Sequence, residues 1–259
     1  MAKKTLSDID VTGKRALVRV DFNVPLSENQ EITDDTRIRA AVPTIQHLLE
    51  GGASVVLMSH LGRPKGSPVP EMSLAPVAVR LSELLDVEVE LVPDCVGSVV
   101  EERAAALQPG QVMLLENLRY KPEEEANDPD FAKALAGLGD LYVNDAFGAA
   151  HRGHASTEGI AHHVPVSVSG LLMEREITYL DDTLKQPARP FIAILGGAKI
   201  SGKIEVIENL LDKVDVLIVG GGMSYTFFKA MGLEIGVSLL EEDRIQIAQD
   251  LIARCREQD

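Results

Sequence analysis

Ala16-Leu17-Val18-Arg19-Val20, broken at once by Asp21-Phe22-Asn23, sets the pattern that decides the fold. A short apolar, β-branched run gives way abruptly to a polar or glycine-rich segment. The unit recurs at 53–58 before Ser59-His60-Leu61-Gly62-Arg63, at 112–115 before Glu116-Asn117-Leu118-Arg119, and at 141–143 before Asn144-Asp145-Ala146-Phe147-Gly148. It returns at 191–195 before Gly196-Gly197-Ala198-Lys199, and at 214–219 before Gly220-Gly221-Gly222-Met223. Continuous apolar runs of this length read as strands covered on both faces, the habit of a parallel sheet. Helical spacing lies between them, through Ile38, Val42, Ile45, Leu48 and Leu49, and through Leu74, Val77, Leu81, Leu84 and Leu85. Strands alternating with helices predict βαβ crossovers and an α/β chain of Rossmann-like, doubly wound parallel sheets. In such sheets ligands gather outside the carboxyl ends of the strands, where this sequence concentrates its polar residues.

Residues 171–184 have helical spacing after Gly170, and Gln186-Pro187-Ala188-Arg189-Pro190 then breaks it. The expected organisation is a first lobe over 1–170, a connecting helix and hinge over 171–187, and a second lobe over 188–259. Only two strands follow residue 188, so the second lobe reads as incomplete. Residues 241–258 close the chain with amphipathic spacing through Ile245, Ala248, Leu251 and Ile252. No internal repeat or low-complexity tract is visible.

The chain has 259 residues, with 25 Lys+Arg against 40 Asp+Glu, a formal charge of −15. That excess repels phosphate backbones and excludes bulk nucleic-acid binding. No apolar run approaches the roughly 18 residues that mark a membrane helix. Met1-Ala2-Lys3-Lys4 has no apolar stretch behind it and does not read as a secretory signal. Cys95 and Cys255 stand far apart with no metal-like cluster, which fits inert thiols in a reducing cytoplasm.

Against this acidic background, Arg37, His60, Arg63, Arg119, His151 and Arg152 all follow strands of the first lobe. Gathered on one sheet edge they would make a positive basin, and the planar guanidinium suits carboxylate and phosphate. Any one arginine alone reads first as a solvated surface residue; it is their arrival after separate strands that favours the basin. Asp21 and Asn23 sit among them, either handling a substrate hydroxyl or simply forming a turn.

Gly197-Ala198-Lys199-Ile200-Ser201-Gly202-Lys203-Ile204 nearly spells the phosphate loop of nucleotide hydrolases, but Ile204 stands where Ser or Thr would hold magnesium. That disfavours a phosphate-loop NTPase. What survives is a small-residue helix start with lysines at i and i+4, open to an anion or a plain tight turn. Gly220-Gly221-Gly222-Met223-Ser224-Tyr225 is weak as a dinucleotide fingerprint, since Tyr225 replaces the third glycine. It reads as a wall for a flat base or as a packed turn. His162-His163, Asp181-Asp182 and Glu241-Glu242-Asp243 receive no role.

Taken in order, these segments resemble the phosphoglycerate kinase family. The likeness is carried by Val18-Arg19-Val20-Asp21-Phe22-Asn23-Val24-Pro25, Asp34-Asp35-Thr36-Arg37-Ile38-Arg39 and Ser59-His60-Leu61-Gly62-Arg63-Pro64. It continues through Leu115-Glu116-Asn117-Leu118-Arg119, Val143-Asn144-Asp145-Ala146-Phe147, Ala150-His151-Arg152 and the two glycine-rich turns of the second lobe. The resemblance implies reversible transfer of phosphate between ATP, carried with Mg2+, and the carboxylate of 3-phosphoglycerate, giving 1,3-bisphosphoglycerate and ADP. It implies a monomer in the cytoplasm, without nucleic-acid or membrane partners.

By the same resemblance Asp21, Phe22, Asn23, Arg37, His60, Leu61, Gly62, Arg63, Arg119, His151 and Arg152 bind the glycerate, with Arg37 nearest the reacting carboxylate. Lys199 follows the migrating phosphoryl group, Lys203 meets nucleotide phosphate, and Gly196, Gly197, Ala198, Gly220 and Gly221 form the adenosine pocket. No residue here is assigned to a metal, since the family's metal-facing segment lies further along. A carboxylate nucleophile has a pKa of about 4 and needs no general base. The family's fuller length also leaves open a second expectation, a truncated non-catalytic fragment that only binds 3-phosphoglycerate.

Overall fold

Six parallel strands build the sheet of the first unit: β1 (Arg15–Arg19), β2 (Ser54–Met58), β3 (Val89–Val92), β4 (Val112–Leu115), β5 (Leu141–Asn144) and β6 (Ser167–Ser169). Their order across the sheet is β3-β4-β2-β1-β5-β6. The computed structural model describes residues 4–257 and, within these, leaves aside the side chains of 181–183. Met1-Ala2-Lys3, Gln258 and the Asp181-Asp182 side chains thus lie outside the described residues. The chain separates into two compact units, residues 1–178 and 179–259.

Both faces of the first sheet are covered. Ala16 and Val18 of β1, with Val55 and Leu57 of β2, point into one core with Ile38, Ile45 and Leu48 of α1 (Thr36–Glu50) and Val77 and Leu81 of α2 (Ala75–Leu85). Leu17, Val56 and Met58 point the other way. They meet Val100 and Ala104 of α3 (Ser98–Ala106) and Phe131 and Leu135 of α5 (Pro129–Ala136), which follows the single turn α4 (Pro122–Glu125). Period-two alternation with apolar residues on both sides is what a doubly wound sheet demands.

Two strands escaped the sequence reading. Val89-Glu90-Leu91-Val92 and Ser167-Val168-Ser169 are the outer strands of the sheet, the second met on its far side by a bridge from Thr5, and neither carries an unbroken apolar run. β1 lies between β2 and β5 in register: Val18 is opposite Leu57 and Val143. The chain leaves β1 to one side and later returns to its other side, which makes the carboxyl end of β1 a switch point. The helix α6 (Leu171–Lys185) starts against β5, where Asp145 Oδ1 accepts from Met173 N at 3.1 Å.

The second unit contains β7 (Ile192–Gly196) and β8 (Val216–Gly220), paired in parallel, with α7 (Ile204–Leu211), α8 (Ser224–Ala230) and α9 (Ile245–Glu257). Its core joins Ile207, Leu211, Met223, Ala248 and Leu251, against which Leu195, Leu217 and Val219 pack. The expectation of strands covered on both faces fails here. Ile192, Ile194, Val216 and Ile218 are exposed, because the apolar core lies on one face of the pair only. Among the described residues no helix is long and apolar enough to cross a membrane.

Candidate anion-binding site

Loops from four strands converge at the carboxyl end of the first sheet around a cavity of about 260 Å³. Asp21 and Asn23 come from the loop after β1, and Arg37 from the first turn of α1. His60, Gly62 and Arg63 follow β2, Arg119 follows β4, and Gly148, Ala149 and Arg152 follow β5. Four guanidinium groups thus share one small space in a chain whose formal charge is −15. A larger cavity of about 730 Å³ in the second unit is lined mainly by apolar side chains such as Leu211, Phe227 and Leu251, and lacks that convergence.

Backbone hydrogen bonds hold the wall in place. Asn23 Oδ1 accepts from Gly62 N at 2.9 Å, and Gly62 O accepts from Arg119 Nη1 at 2.8 Å. Gly62 has φ +62°, a left-handed conformation for which glycine is the cheap residue. Behind it Asn117 Oδ1 accepts from Leu61 N, while Asn117 Nδ2 donates to Leu61 O and Met72 O. The loop after β4 therefore clamps the loop after β2, which explains why Glu116-Asn117 precedes Leu118-Arg119. Arg37 Nη1 meets Asp21 Oδ2 at 2.9 Å, and Arg119 Nε lies 3.2 Å from Glu125 Oε1.

His60 behaves differently from the arginines it was grouped with. It is buried, and its pKa is pushed down to about 2 by desolvation first, then by Arg19, Arg119, His154 and Arg152. It is a neutral imidazole, not a fifth cation. Arg19 Nη2 lies 3.1 Å from His60 Nδ1, and Arg19 Nε donates to Ser156 Oγ at 2.8 Å. Ser156 Oγ donates to Glu124 Oε1 at 2.6 Å, and Ser156 N donates to Glu124 Oε2 at 3.0 Å. Burial alone would raise the Glu124 pKa, but bonding from His154 and Ser156 and the charge of Arg19 hold it below the usual carboxylate range.

Not every expected residue reaches the cavity. Phe22 and Leu61 send their side chains into the apolar core, and His151 is exposed without lining the cavity. Gly148 and Ala149 do line it, and an added Cβ at Gly148 would lie 2.8 Å from Asp21 Oδ2. The buried set Arg19, Glu124, His154 and Ser156 also went unassigned in the sequence. Its one available signal was a lone arginine inside an otherwise apolar strand.

In the second unit Lys199 is exposed and Lys203 half-buried. An added Cβ at Gly197 would stand 3.3 Å from Lys203 Cε, and one at Gly221 (φ +71°) 2.9 Å from Gly197 O. Met223 N donates to Gly197 O at 2.9 Å, so the turns after β7 and β8 are zipped together. Close packing accounts for Gly197 and Gly221. Gly196 and Gly220 pair across the strands, and an added Cβ at either would meet nothing nearer than 4.0 Å. Ala198 is exposed beside them.

The helix start before α7 already holds an anion of its own. Glu241 Oε2 accepts from Ile200 N at 2.6 Å and from Ser201 N at 3.2 Å. The hydroxyl of Ser201 and these amides hold its pKa down, with a smaller contribution from Lys199. Glu241 thus takes a structural place that the sequence did not assign. His162 pairs with Glu158 on the surface at 2.6 Å. Among the described residues no group of three or more His, Cys, Asp or Glu could hold a metal ion. Cys95 is buried, which pushes its thiol pKa up, and Cys255 is exposed.

The fold and the cavity define an α/β protein with a small, arginine-rich cavity at a sheet switch point. Residues 6–259 match the family model described as phosphoglycerate kinase, and the chain belongs to that family. A phosphoglycerate kinase of Prosthecochloris aestuarii is 61% identical over 254 residues, covering 98% of this chain and 64% of the relative. One of Chlorobium phaeovibrioides is 60% identical over 256 residues, with 99% and 64% covered. The solved phosphoglycerate kinase of Coxiella burnetii matches with a TM-score of 0.87 at 42% identity, covering 99% of this chain and 64% of that one. That of Pyrococcus horikoshii gives 0.81 at 33% identity, covering 96% and 65%. The chain therefore spans about 64% of the length of the curated relatives it matches.

Proposed function

We propose that this chain serves the reversible transfer of a phosphoryl group between ATP and the carboxylate of 3-phosphoglycerate, giving 1,3-bisphosphoglycerate and ADP. The first unit takes the glycerate and the second takes the nucleotide. One observation carries the reading: Arg37, Arg63, Arg119 and Arg152 converge with Asp21, Asn23 and His60 on a single cavity of about 260 Å³. That volume falls below the roughly 300–1,000 Å³ of larger ligand sites and suits a three-carbon acid with an anionic group at each end.

Acyl phosphate formation asks the protein for positioning and charge neutralisation rather than proton transfer, because the attacking carboxylate is already ionised. The arginines bind the phosphate and carboxylate ends and spread their charge. Arg37 stands nearest the reacting carboxylate and exchanges Asp21 for it, where its guanidinium also faces the charge on the oxygens of the phosphoryl group in transfer. Asp21 and Asn23 orient the hydroxyl between the two anionic ends, while Gly62 and the backbone near Phe22 and Leu61 shape the wall. His151 contributes from the rim.

Lys199 accompanies the transferred phosphoryl group, and Lys203 meets nucleotide phosphate over Gly197. Gly196, Ala198 and Gly220 offer a bare surface to the adenosine, with Gly221 fixing the turn beside them. Magnesium arrives on the nucleotide. The described residues form no ligand cluster for it, so no step is assigned to a protein-held metal. The setting is a monomer in the cytoplasm.

Titration calorimetry with 3-phosphoglycerate and with ADP, together with a coupled assay for ADP made from ATP and 3-phosphoglycerate by the full-length protein, tests the proposal. Saturable binding of the glycerate and turnover are expected. Absence of both refutes it, and glycerate binding without nucleotide binding by this chain refutes the role given to its second unit.

A further inference from the structure

Arg19 reaches His60 with nothing but donors. A guanidinium has N–H groups and no lone pair to offer, so a ring nitrogen 3.1 Å from Arg19 Nη2 must be the acceptor. The single proton of a neutral imidazole then sits on Nε2. Among the described residues no hydrogen bond reaches Nε2, and the ring lines the cavity. We infer that His60 meets its anionic ligand as a neutral Nε2–H donor, and that Arg19, backed by Ser156 and Glu124, is the positioning group that fixes this tautomer. The inference deepens the 3-phosphoglycerate reading and rests on it for the ligand's identity.

The supporting chain has a direction. Arg19 Nη1 also donates to Val20 O, so the guanidinium is held on three sides, by Val20, Ser156 and His60. Ser156 Oγ accepts from Arg19 and so directs its own proton to Glu124, which is wholly buried. Glu124 is the counter-ion that makes a buried guanidinium tolerable. Reversing the His60 tautomer would aim an N–H at an N–H, and charging the ring would add a cation beside Arg19.

Among the described residues no carboxylate beside His60 is free to draw a proton onto the ring. Asp21 is engaged by Arg37, Glu125 by Arg119, and Glu124 by Ser156 and His154. The other groups facing His60 are Arg63, Arg119 and Arg152, all cationic, and the neighbouring His154. A neutral donor gives the ligand a directional hydrogen bond in a cavity already supplied with guanidinium charge, and it does so at every pH of ordinary interest.

Two-bond proton–nitrogen correlation spectra of the 15N-labelled protein read the tautomer directly, with the His60 signal assigned by its loss in His60→Gln. The expected result is the neutral Nε2–H pattern, unchanged from pH 5 to 8. An Nδ1–H pattern, or an imidazolium appearing in that interval, overturns the assignment. Ser156→Ala and Glu124→Gln are expected to turn the signal into a tautomer mixture and to weaken 3-phosphoglycerate binding by about tenfold, the usual worth of one lost charge-assisted bond. An unchanged tautomer with unchanged affinity in both overturns the positioning role. If the wild type shows the Nε2–H pattern but binds no 3-phosphoglycerate, the substrate reading fails while the tautomer stands.

Discussion

Acidification provides a quantitative test of the buried His60. In the unfolded chain an imidazole titrates with a pKa of about 6.5, whereas in the fold its pKa is pushed down to about 2. Between those values the unfolded state takes up a proton that the folded state refuses. Stability therefore falls as pH falls through 6.5, and no contribution from this group appears above it. From pH 7 to pH 5 the loss is about 2 kcal/mol, since each full unit below the unfolded pKa costs about 1.4 kcal/mol.

The assay is hydrogen-exchange protection of the β1 and β2 amides, measured across that interval in the wild type and in His60→Gln. Glutamine keeps an acceptor for Arg19 and does not titrate. Asp145 has its pKa raised by burial and so contributes with the opposite slope, losing stability as pH rises through its own range. Glu124, with a lowered pKa, loses its contribution only as pH falls below the ordinary carboxylate range. Both are common to the two proteins and cancel in the difference. A variant with the same acid slope as the wild type refutes the buried, neutral imidazole.

Three further outcomes are expected. Arg37→Ala lowers turnover of the full-length protein by about 10²–10³, the usual cost of removing one donor at developing charge, and leaves ADP affinity unchanged; equal losses in both contradict its assignment. Gly62→Ala costs about 1–2 kcal/mol in denaturant melts, because a side chain is forced into the left-handed region and its Cβ lands 2.8 Å from Met72 Sδ. Glu241→Ala broadens the Ile200 and Ser201 amide resonances and weakens ADP binding in calorimetry, since both amides lose their acceptor; sharp, unshifted resonances contradict the anchoring role.

What the sequence made legible follows from which patterns physics forces to be local. A strand buried between two helical layers is apolar over most of its length, so β1, β2, β4 and β5 announce themselves. An edge strand has no such obligation, and Ser167-Val168-Ser169 carries almost no signal. Cations placed after separate strands pointed to the cavity because the architecture sends strand ends to one edge. The same logic could not separate His151 from His154, three residues apart in one loop. Only the fold shows that the second is buried beside Glu124 and the first exposed away from the cavity. Nor could it tell that Phe22 and Leu61, inside motifs rich in binding residues, spend their side chains on the core.

The buried network was illegible for a deeper reason, and that reason bears on how the site works. Arg19, Glu124 and the pair His154 and Ser156 come from three places in the chain and have no common spacing; they become a unit only when β1, α4 and the loop after β5 pack together. A cavity lined by four guanidinium groups repels itself, and its nearest carboxylates cannot relieve it without competing with the ligand. The fold separates the two tasks. Asp21 and Glu125 hold Arg37 and Arg119 from within the site or its border, where a stronger anion can displace or share them. Glu124 lies wholly buried behind Ser156, where it neutralises Arg19 and no ligand needs to replace it. The carboxylates that an incoming anion would displace are thus kept within reach of solvent, and the one that holds Arg19 is kept inside.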